Sequence, residues 1–457
     1  MMHRLLLIVP LAALFVIGLS AVPSFVADGR MASMAFADDD DDGGGNDDDD
    51  GGGGGGAAGA TDDDEGRFPV FGNRPRTPQA GPAGPQAPDF APDEIVTLAL
   101  TEADLAVLVG QGFTVLDEQA LEALDTTSRR LRIPNDLTLD EAREAARGVP
   151  SGQDADFNHY YRSEQAFSSS CRGVDCPARI LVDWPLDLSR DGGCGNGVRI
   201  GMIDTGINAA HTTFTGADLE VLRLGDEALP ESGALHGTAV AALLVGDPGS
   251  RSPGLVPGAS LIAVDAFHSS GGDERTDVFT LLSGLDHLAE ARVSIINLSL
   301  AGPPNAVLER AVTQLVEAED IVLVAAVGND GPAADPAYPA AYASVIAVTA
   351  VDRDGVVYRR AITGSHVDIA APGVDVWTAA SISGARPKTG TSYAVPFVTA
   401  AAAILRDTRP ELRAAEVAAA LQALARDIGD PGPDNVYGAG LVQFDPVCSD
   451  RPLILPD

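Results

Sequence analysis

Basic residues are scarce in this 457-residue chain, since 30 lysines and arginines stand against 66 aspartates and glutamates and give a net charge of −36. Part of the excess is local, because 13 acidic residues lie between Asp38 and Glu65 and leave −23 for the rest of the chain. Such a chain repels phosphate at long range, so we do not expect nucleic acid as a partner.

Long apolar runs are also lacking, apart from Leu5–Val22 near the N-terminus. This run follows the short segment MMHR, and Ala35-Phe36-Ala37 offers a small-x-small cleavage site, so we predict that residues 1–37 are an export signal. The run is close to the ~18-residue lower limit of a membrane span, which leaves an uncleaved anchor as the alternative. The predicted location is periplasmic or secreted, with anchoring in the cell envelope as that alternative.

Cysteine is the third scarcity, and an even number of cysteines in an exported chain predicts two disulfides. The four residues are Cys171, Cys176, Cys194 and Cys448. Three connectivities are possible, and the short first spacing favours Cys171 with Cys176, which leaves Cys194 with Cys448. A metal site is disfavoured, because no histidine pair with ligand spacing lies near these cysteines.

Composition divides the chain before its ordered part. Residues 38–66 consist mainly of Asp and Gly, cannot bury a core and are predicted to be a disordered spacer. The aspartates have no period, which disfavours calcium-binding repeats. Residues 67–92 are rich in Pro and Gly and continue the linker, so we predict a linker over 38–93 and order from about Glu94.

Residues 94–162 predict a small α+β domain. EIVTLAL is typical of a strand, and TEADLAVLVGQG is typical of a helix capped by Thr101. GFTVLDE, RRLRIP, the helix LTLDEAREAARG and the strand ADFNHYYR follow. The order β-α-β-β-α-β is that of a ferredoxin-like domain.

Residues 163–457 have a different pattern, in which apolar strand-like runs alternate with helices. The runs are VRIGMID, SLIAVDAF, VSIINLSL, IVLVAAVG and VIAVTAV, and the helices are HGTAVAALLV, VFTLLSGLDHLAEA and AVLERAVTQLVEAE. Continuous apolar strands between helices predict the α/β class, with a mostly parallel sheet covered on both faces. The functional site of such a sheet lies beyond the carboxyl ends of its strands.

Four polar residues stand at such ends: Asp204, His236, Asn329 and Ser392. Alone, each has an ordinary interpretation, as a turn cap, a structural histidine, a turn asparagine and a helix cap. Together they surround motifs that resemble the subtilisin-like serine proteases, which share this Asp…His…Ser order. The motifs are DTG, HGTAVA, GND and GTSYAVP, with NLSLAGP and YPAAYASVIAVTAVD in support, and the resemblance covers roughly residues 195–445.

The resemblance implies a serine endopeptidase with a three-layer subtilisin-like fold. Ser392 would be the nucleophile, His236 its base and Asp204 the residue that orients His236. The Asn329 amide and the Ser392 backbone N–H would stabilise the oxyanion. This chemistry requires no cofactor, and the loop GDPGSRSPG lacks the pattern that resembles a calcium loop in many relatives, so structural calcium is not supported.

The resemblance also implies a substrate cleft in which one segment pairs with the substrate as an added strand and others wall the pocket for the residue before the scissile bond, P1. The residues concerned are Leu298, Ser299, Leu300, Ala301 and Gly302 for the strand, and Ala325, Ala326, Val327, Gly328 and Ala337 for the pocket. The pocket is uncharged, which favours an apolar or medium-sized P1 residue and gives no support to a dibasic preference. Ala301 and Tyr393 stand where the family commonly has glycine and methionine, and Tyr393 is expected to reshape the leaving-group side.

The small domain resembles the propeptide of this family, which assists folding, inhibits the site and is cut off autocatalytically. The cut is expected between about Tyr161 and Ser170. A permanent accessory domain is the alternative. Two other hypotheses are a catalytically inactive peptide-binding protein of the cell envelope and an envelope interaction module that acts through its acidic spacer.

Overall fold

The computed structural model describes residues 88–163, 177–184, 194–225 and 228–444. The predicted export signal, the acidic spacer and three of the cysteines (Cys171, Cys176 and Cys448) lie outside these ranges, so those predictions stay predictions. Cys194 is described and is not a free thiol. Within the described ranges, no helix has the length and apolar character needed to cross a bilayer.

The first six elements form a small antiparallel sheet with two helices. They are β1 (Phe90–Leu98), α1 (Glu102–Gly110), β2 (Thr114–Leu121), β3 (Thr126–Arg132), α2 (Leu139–Arg147) and β4 (Asp156–Ser163). The predicted order β-α-β-β-α-β is confirmed, and the sheet runs β2-β3-β1-β4. The strand β1 begins before the predicted Glu94, because Phe90 pairs with His159 and packs against Phe157.

Side-chain caps begin both helices of this domain. The hydroxyl of Thr101 accepts the Asp104 N–H, and Thr138 with Glu141 forms a complete capping box. Ile95, Leu108 and other apolar side chains are buried between the sheet and the helices.

The elements of the larger part follow in chain order. They are α3 (Pro177–Leu181), β5 (Arg199–Asp204), β6 (Asp218–Arg223), α4 (Leu235–Val245), β7 (Ser260–Asp265), β8 (His268–Ser270), β9 (Asp273–Asp277), α5 (Val278–Glu290), β10 (Ile295–Leu298), β11 (Leu300–Ala301), α6 (Ala306–Glu317), β12 (Val322–Ala326), β13 (Ile346–Val351), β14 (Ile369–Pro372), β15 (Val376–Ala379), β16 (Ala385–Lys388), α7 (Val395–Thr408) and α8 (Ala414–Leu424). Two 3₁₀ turns, Thr212–Phe214 and Thr391–Tyr393, complete the set.

Seven strands form a parallel sheet in the order β14-β13-β12-β10-β5-β7-β6. The predicted α/β fold with a mostly parallel sheet is confirmed. Every residue of β10, β12 and β13 is buried, as expected for a sheet covered on both faces. The edge strand β6 was not predicted, because DLEVLR mixes charged with apolar residues and gives no continuous apolar run.

The strand β4 connects the small sheet to the larger part of the molecule. Beyond its pairing with β1, it pairs with β9 on one side and with β11 on the other. Arg162 lies opposite both Arg275 and Ala301, and Ser163 lies opposite Leu300. The end of β4 therefore lies between β9 and β11, and β11 consists of two predicted substrate-binding residues, Leu300 and Ala301.

Candidate active site

Asp204 and His236 meet at the carboxyl edge of the parallel sheet. Asp204 ends β5, and His236 lies in the first turn of α4. The Asp204 Oδ1 atom is 2.6 Å from Nδ1 of His236 and also accepts the Thr205 N–H at 2.7 Å. The two bonds stabilise a carboxylate that is only 1% exposed, so the strand end tolerates a buried charge.

A glycine allows α4 to come this close to the Asp204 turn. A Cβ atom on Gly237 would lie 2.3 Å from the carbonyl oxygen of Thr205, so no larger residue fits there. The Gly237 N–H donates to Thr205 Oγ1 at 3.0 Å and fixes the contact. The sequence HG thus places the imidazole on Asp204 through backbone packing.

The other nitrogen of His236 is buried and unused. Among the described residues, Nε2 has no hydrogen-bond partner. The ring packs against the ring of Tyr393, with 5.4 Å between centroids. Tyr393 is buried, and burial raises the pKa of its phenol far above the ordinary value, so the ring acts as a neutral wall. We expected Tyr393 to reshape the leaving-group side, and the structure shows in addition that its ring contacts the His236 imidazole.

Ser392 lies in the 3₁₀ turn that precedes α7, and Pro396 occupies the first turn of that helix. Neither the turn nor α7 has a side-chain cap, so the helix-cap interpretation of Ser392 is wrong. Its hydroxyl donates to the Ser299 carbonyl at 3.2 Å, and the Ser299 hydroxyl donates to the Ser392 carbonyl at 2.9 Å. These two bonds join the turn to the segment between β10 and β11.

Asn329 follows β12 and contacts the same turn. Its Oδ1 atom accepts the Thr391 N–H at 3.1 Å, which orients the carboxamide. Its Nδ2 atom is buried and, within the part of the chain that the structure describes, has no acceptor. The Asn329 side chain thus contacts a distant turn, in contrast to the local turn role that asparagine commonly has. A buried, unpaired and oriented donor is suited to bind an anionic atom.

The predicted substrate residues lie beside this turn. Leu298 ends β10, Ser299 contacts Ser392, and Leu300–Ala301 form β11. Ala325 and Ala326 are buried in β12, and Val327 follows them as a buried residue. A Cβ atom on Gly328 would lie 3.3 Å from that of Ala337, so the two parts of the predicted pocket meet.

A second carboxylate, which was not predicted from the sequence, lies at the same sheet edge. Asp265 ends β7 directly opposite Asp204, accepts the Ser232 hydroxyl at 2.8 Å and contacts Arg223 at 2.9 Å. Ser232 in turn accepts the Gly206 N–H at 2.8 Å. Burial raises the pKa of Asp265, while Ser232 and Arg223 lower it. An aspartate at the end of an apolar strand was the available signal, the same one that marked Asp204.

His211 has a structural role in the turn beside α4. It is buried, and its Nδ1 atom accepts the Thr213 N–H at 3.1 Å, which caps the turn Thr212–Phe214. The ring also lies edge-on to Phe214.

The parallel sheet, with these polar residues at its carboxyl edge, defines the class of the subtilisin-like serine proteases. The Subtilase family model, Peptidase S8, matches residues 195–440, and the chain belongs to this family. The predicted family is confirmed.

Two relatives illustrate the similarity. Subtilisin DY from Bacillus licheniformis is 33% identical over 259 residues, which are 55% of this chain and 90% of that protein. Subtilisin BL from Lederbergia lenta is 34% identical over 255 residues, 54% of this chain and 89% of that protein. The solved structure of fervidolysin from Fervidobacterium pennivorans, described as a keratinolytic enzyme related to subtilisin, aligns with a TM-score of 0.64 at 20% identity. It covers 81% of this chain and 63% of that chain, and it supports the fold alone.

Proposed function

We propose that this protein is an exported serine endopeptidase, made as a zymogen, in which Asp204, His236 and Ser392 form the catalytic triad. The proposal rests on a cluster of buried polar side chains at the carboxyl ends of the parallel strands. Asp204 binds one nitrogen of His236, and the other nitrogen is buried without a partner in the described structure. The Asn329 Nδ2 donor is equally unpaired, and its carboxamide is bound to the turn that contains Ser392.

The proposed reaction uses each of these atoms in order. The Nδ1–H of His236 donates to Asp204, which leaves the basic lone pair on Nε2. Ser392 Oγ attacks the peptide carbonyl carbon while its proton passes to Nε2. The new oxyanion accepts hydrogen bonds from Asn329 Nδ2 and from the Ser392 N–H. His236 then protonates the leaving amine, the C–N bond breaks, and water hydrolyses the acyl-serine by the same steps.

The strand β4 supports the zymogen part of the proposal, because we expect an extended substrate to bind in the same place. It lies antiparallel between β9 and β11, in the strand-addition mode of peptide recognition. Ser163 pairs with Leu300, so the next position along a bound strand lies opposite Ser299, the residue hydrogen-bonded to Ser392. We therefore propose that residues 88–163 inhibit the site and that the chain is cut shortly after β4, within the expected interval from Tyr161 to Ser170.

Tyr161 shows how this segment is held. Its ring is buried, its hydroxyl donates to the Pro303 carbonyl at 3.0 Å, and a Cβ atom on Gly302 would lie 2.6 Å from the ring. The glycine therefore makes room for the aromatic ring. We propose that substrates place an aromatic residue in the same pocket.

Apolar and polar contacts hold the rest of the small domain, and four of its apolar residues are buried in the same hydrophobic core as the larger part: Val96, Leu98, Leu121 and Leu124. Asp286 of α5 accepts the backbone N–H groups of Glu122 and Ala123, at 3.1 and 2.9 Å. Asp156 of β4 accepts the Ala306 N–H at the first residue of α6, where a carboxylate also suits the helix dipole.

Replacing Ser392 with alanine tests the proposal. The Ser392→Ala chain is expected to lose peptide hydrolysis and labelling by a serine-directed fluorophosphonate, and to keep its N-terminal domain attached. The measurements are hydrolysis of a fluorogenic peptide, gel detection of the label and intact mass. Ser344→Ala is the matched control, because Ser344 precedes β13 at the opposite edge of the sheet.

Two outcomes would separate the proposal from its alternatives. Full hydrolysis by Ser392→Ala would refute the triad. A wild-type protein that binds peptides without hydrolysis or labelling would support the inactive scaffold. N-terminal sequencing of the purified wild-type protein tests the zymogen, since an active protein beginning near residue 38 would contradict it.

A further inference from the structure

The strand β9, on one side of β4, carries charged residues that could select the substrate of the proposed peptidase. This inference rests on the proposed function. In the register of β4, the residue opposite Ser299 is P1, since Ser299 contacts Ser392. The place of Ser163 is then P2, and the place of Arg162 is P3. On the other side of the same strand lies β9, with Arg162 opposite Arg275.

The P3 place already holds a basic side chain. Arg162 Nε lies 3.2 Å from Oδ1 of Asp273, the first residue of β9, and Nη1 of Arg275 lies 3.5 Å from the other oxygen of the same carboxylate. Two arginines directly opposite each other across strands repel, and the shared carboxylate offsets this repulsion. Both members of the Arg162–Asp273 pair remain partly exposed, with side chains 27% and 21% accessible, so we expect a modest preference from Asp273.

The P2 place faces a second carboxylate, on the buried face of β9. Residues two apart in a strand share a face, so Glu274 lies on the face of the fully buried Thr276, opposite Tyr161. On the bound strand, P2 follows the Tyr161 place on that same face. The Glu274 carboxylate accepts the Gly233 N–H, three residues before His236, and this is the only hydrogen bond of that carboxylate within the described residues.

Glu274 faces the P2 place and has no cationic ion-pair partner among the described residues. Burial raises the pKa of Glu274, the Gly233 N–H and the charge of His236 lower it, and the charges of Asp204 and Asp265 raise it again. Arg223 lies 2.9 Å from Asp265, and His236 lies 2.6 Å from Asp204, so each of these two carboxylates has a partner of its own. A cationic P2 side chain would lie beside the half-buried Glu274 and would favour its charged form, because attraction between opposite charges is stronger there than in water.

We propose that Asp273 and Glu274 select peptides with basic side chains at P3 and P2, and that Glu274 is the stronger determinant. The substrates are then cationic peptide segments, with an uncharged residue at P1. This preference lies outside the pocket considered from the sequence, whose walls are uncharged.

The test uses the self-processed wild-type protein and quenched fluorogenic peptides built on Tyr-Ala-X-Leu, with X at P2 as lysine, alanine or glutamate. We expect kcat/KM for lysine to exceed that for alanine about tenfold, and glutamate to be the slowest. Glu274→Gln should bring the lysine-to-alanine ratio close to one. Glu274→Lys should make the glutamate peptide faster than the lysine peptide, a reversal that a merely structural role would not produce.

Asp273 is tested at P3 with Tyr-Lys-Ala-Leu against Tyr-Ala-Ala-Leu. Asp273→Asn should lower the lysine-to-alanine ratio about two- to threefold, as expected for a partly exposed pair. Glu290→Gln, an exposed acid at the end of α5, is the control that should leave both ratios unchanged. Fluorophosphonate titration of active sites normalises every rate for folded enzyme.

Two results would overturn the proposal: a wild-type P2 ratio below about twofold, or a ratio that Glu274→Gln leaves unchanged. Failure of the proposed function has a different signature, because a wild-type protein without peptidase activity would hydrolyse none of the peptides and take up no fluorophosphonate.

Discussion

Two aspartates end neighbouring strands of the parallel sheet in the same register, and they differ in how completely they are bonded. Asp265 uses both oxygens, with Ser232 and the Phe267 N–H on one and Arg223 on the other. Asp204 puts both of its bonds, to His236 and Thr205, on Oδ1, and Oδ2 has no partner among the described residues. Equivalent strand positions thus carry one carboxylate with both oxygens hydrogen-bonded and one with an unpaired oxygen. We call the Asp265 group the completed site and the Asp204 group the incomplete site.

The incomplete site extends beyond Asp204. His236 Nε2 and Asn329 Nδ2 are likewise buried and unpaired in the described structure, and their residues are hydrogen-bonded to Asp204 and to the turn that contains Ser392, respectively. Leaving a buried polar atom unpaired costs about 1–3 kcal/mol, so a fold that keeps three of them at one sheet edge is poised for a reacting partner. Completed bonds at Asp265 should serve stability, and incomplete ones at Asp204 and Asn329 should serve catalysis.

The largest expected effect comes from breaking the incomplete site at its carboxylate. Asp204→Asn should lower kcat about 10⁴-fold, the loss known for the aspartate-to-asparagine change in a chymotrypsin-type triad, because the amide no longer holds His236 in the right tautomer. Thermal unfolding should change much less than kcat. The measurement is single-turnover hydrolysis beside a melting curve of the same sample. A variant within tenfold of wild type in kcat would contradict the role of Asp204.

Asn329→Ala should have the next largest effect. The loss of the unpaired amide donor should cost about 2.7–4 kcal/mol of transition-state stabilisation, a value from subtilisin, a member of this family, with KM nearly unchanged. Steady-state kinetics separates the two parameters, and the exposed Asn435→Ala is the matched control. If KM rises while kcat stays constant, Asn329 binds the substrate in its ground state, and the proposed role in stabilising the oxyanion is wrong.

Sequence alone predicted much of this arrangement, because the strands of a covered parallel sheet are continuous apolar runs and the four motifs around Asp204, His236, Asn329 and Ser392 are specific. The hairpin β8–β9 was missed, although Gly271-Gly272 between HSS and DERTD is a hairpin signal, since neither flank has an apolar alternation. The unpaired atoms could not be predicted. The orientation of the Asn329 carboxamide, and hence the surroundings of Nδ2, depends on which distant backbone N–H donates to Oδ1. The insertion of Tyr161 against Gly302 depends equally on the docking of one domain on another.

The smallest expected effect is on the completed site, and it concerns stability. Asp265→Asn, made in the inactive Ser392→Ala chain to prevent self-digestion, should lower the free energy of unfolding by about 1–3 kcal/mol at pH 7, because Arg223 and Ser232 lose a charged acceptor. Burial raises the pKa of Asp265 in the folded protein above the ordinary carboxyl value of ~3.9. The folded state therefore holds the Asp265 proton more readily than the unfolded chain, and the aspartate protein loses stability as pH rises through the window between those two pKa values.

The stability difference between the aspartate and asparagine proteins should consequently be larger at pH 4 than at pH 7. Paired denaturant melts at the two pH values measure it. A difference that shrinks on acidification would mean that the bonds from Arg223 and Ser232 outweigh burial and hold the pKa of Asp265 below its ordinary value. In that case the negative charge of Asp265, more than the geometry of its hydrogen bonds, would stabilise the folded protein. The two aspartates would then differ only in their hydrogen-bond partners.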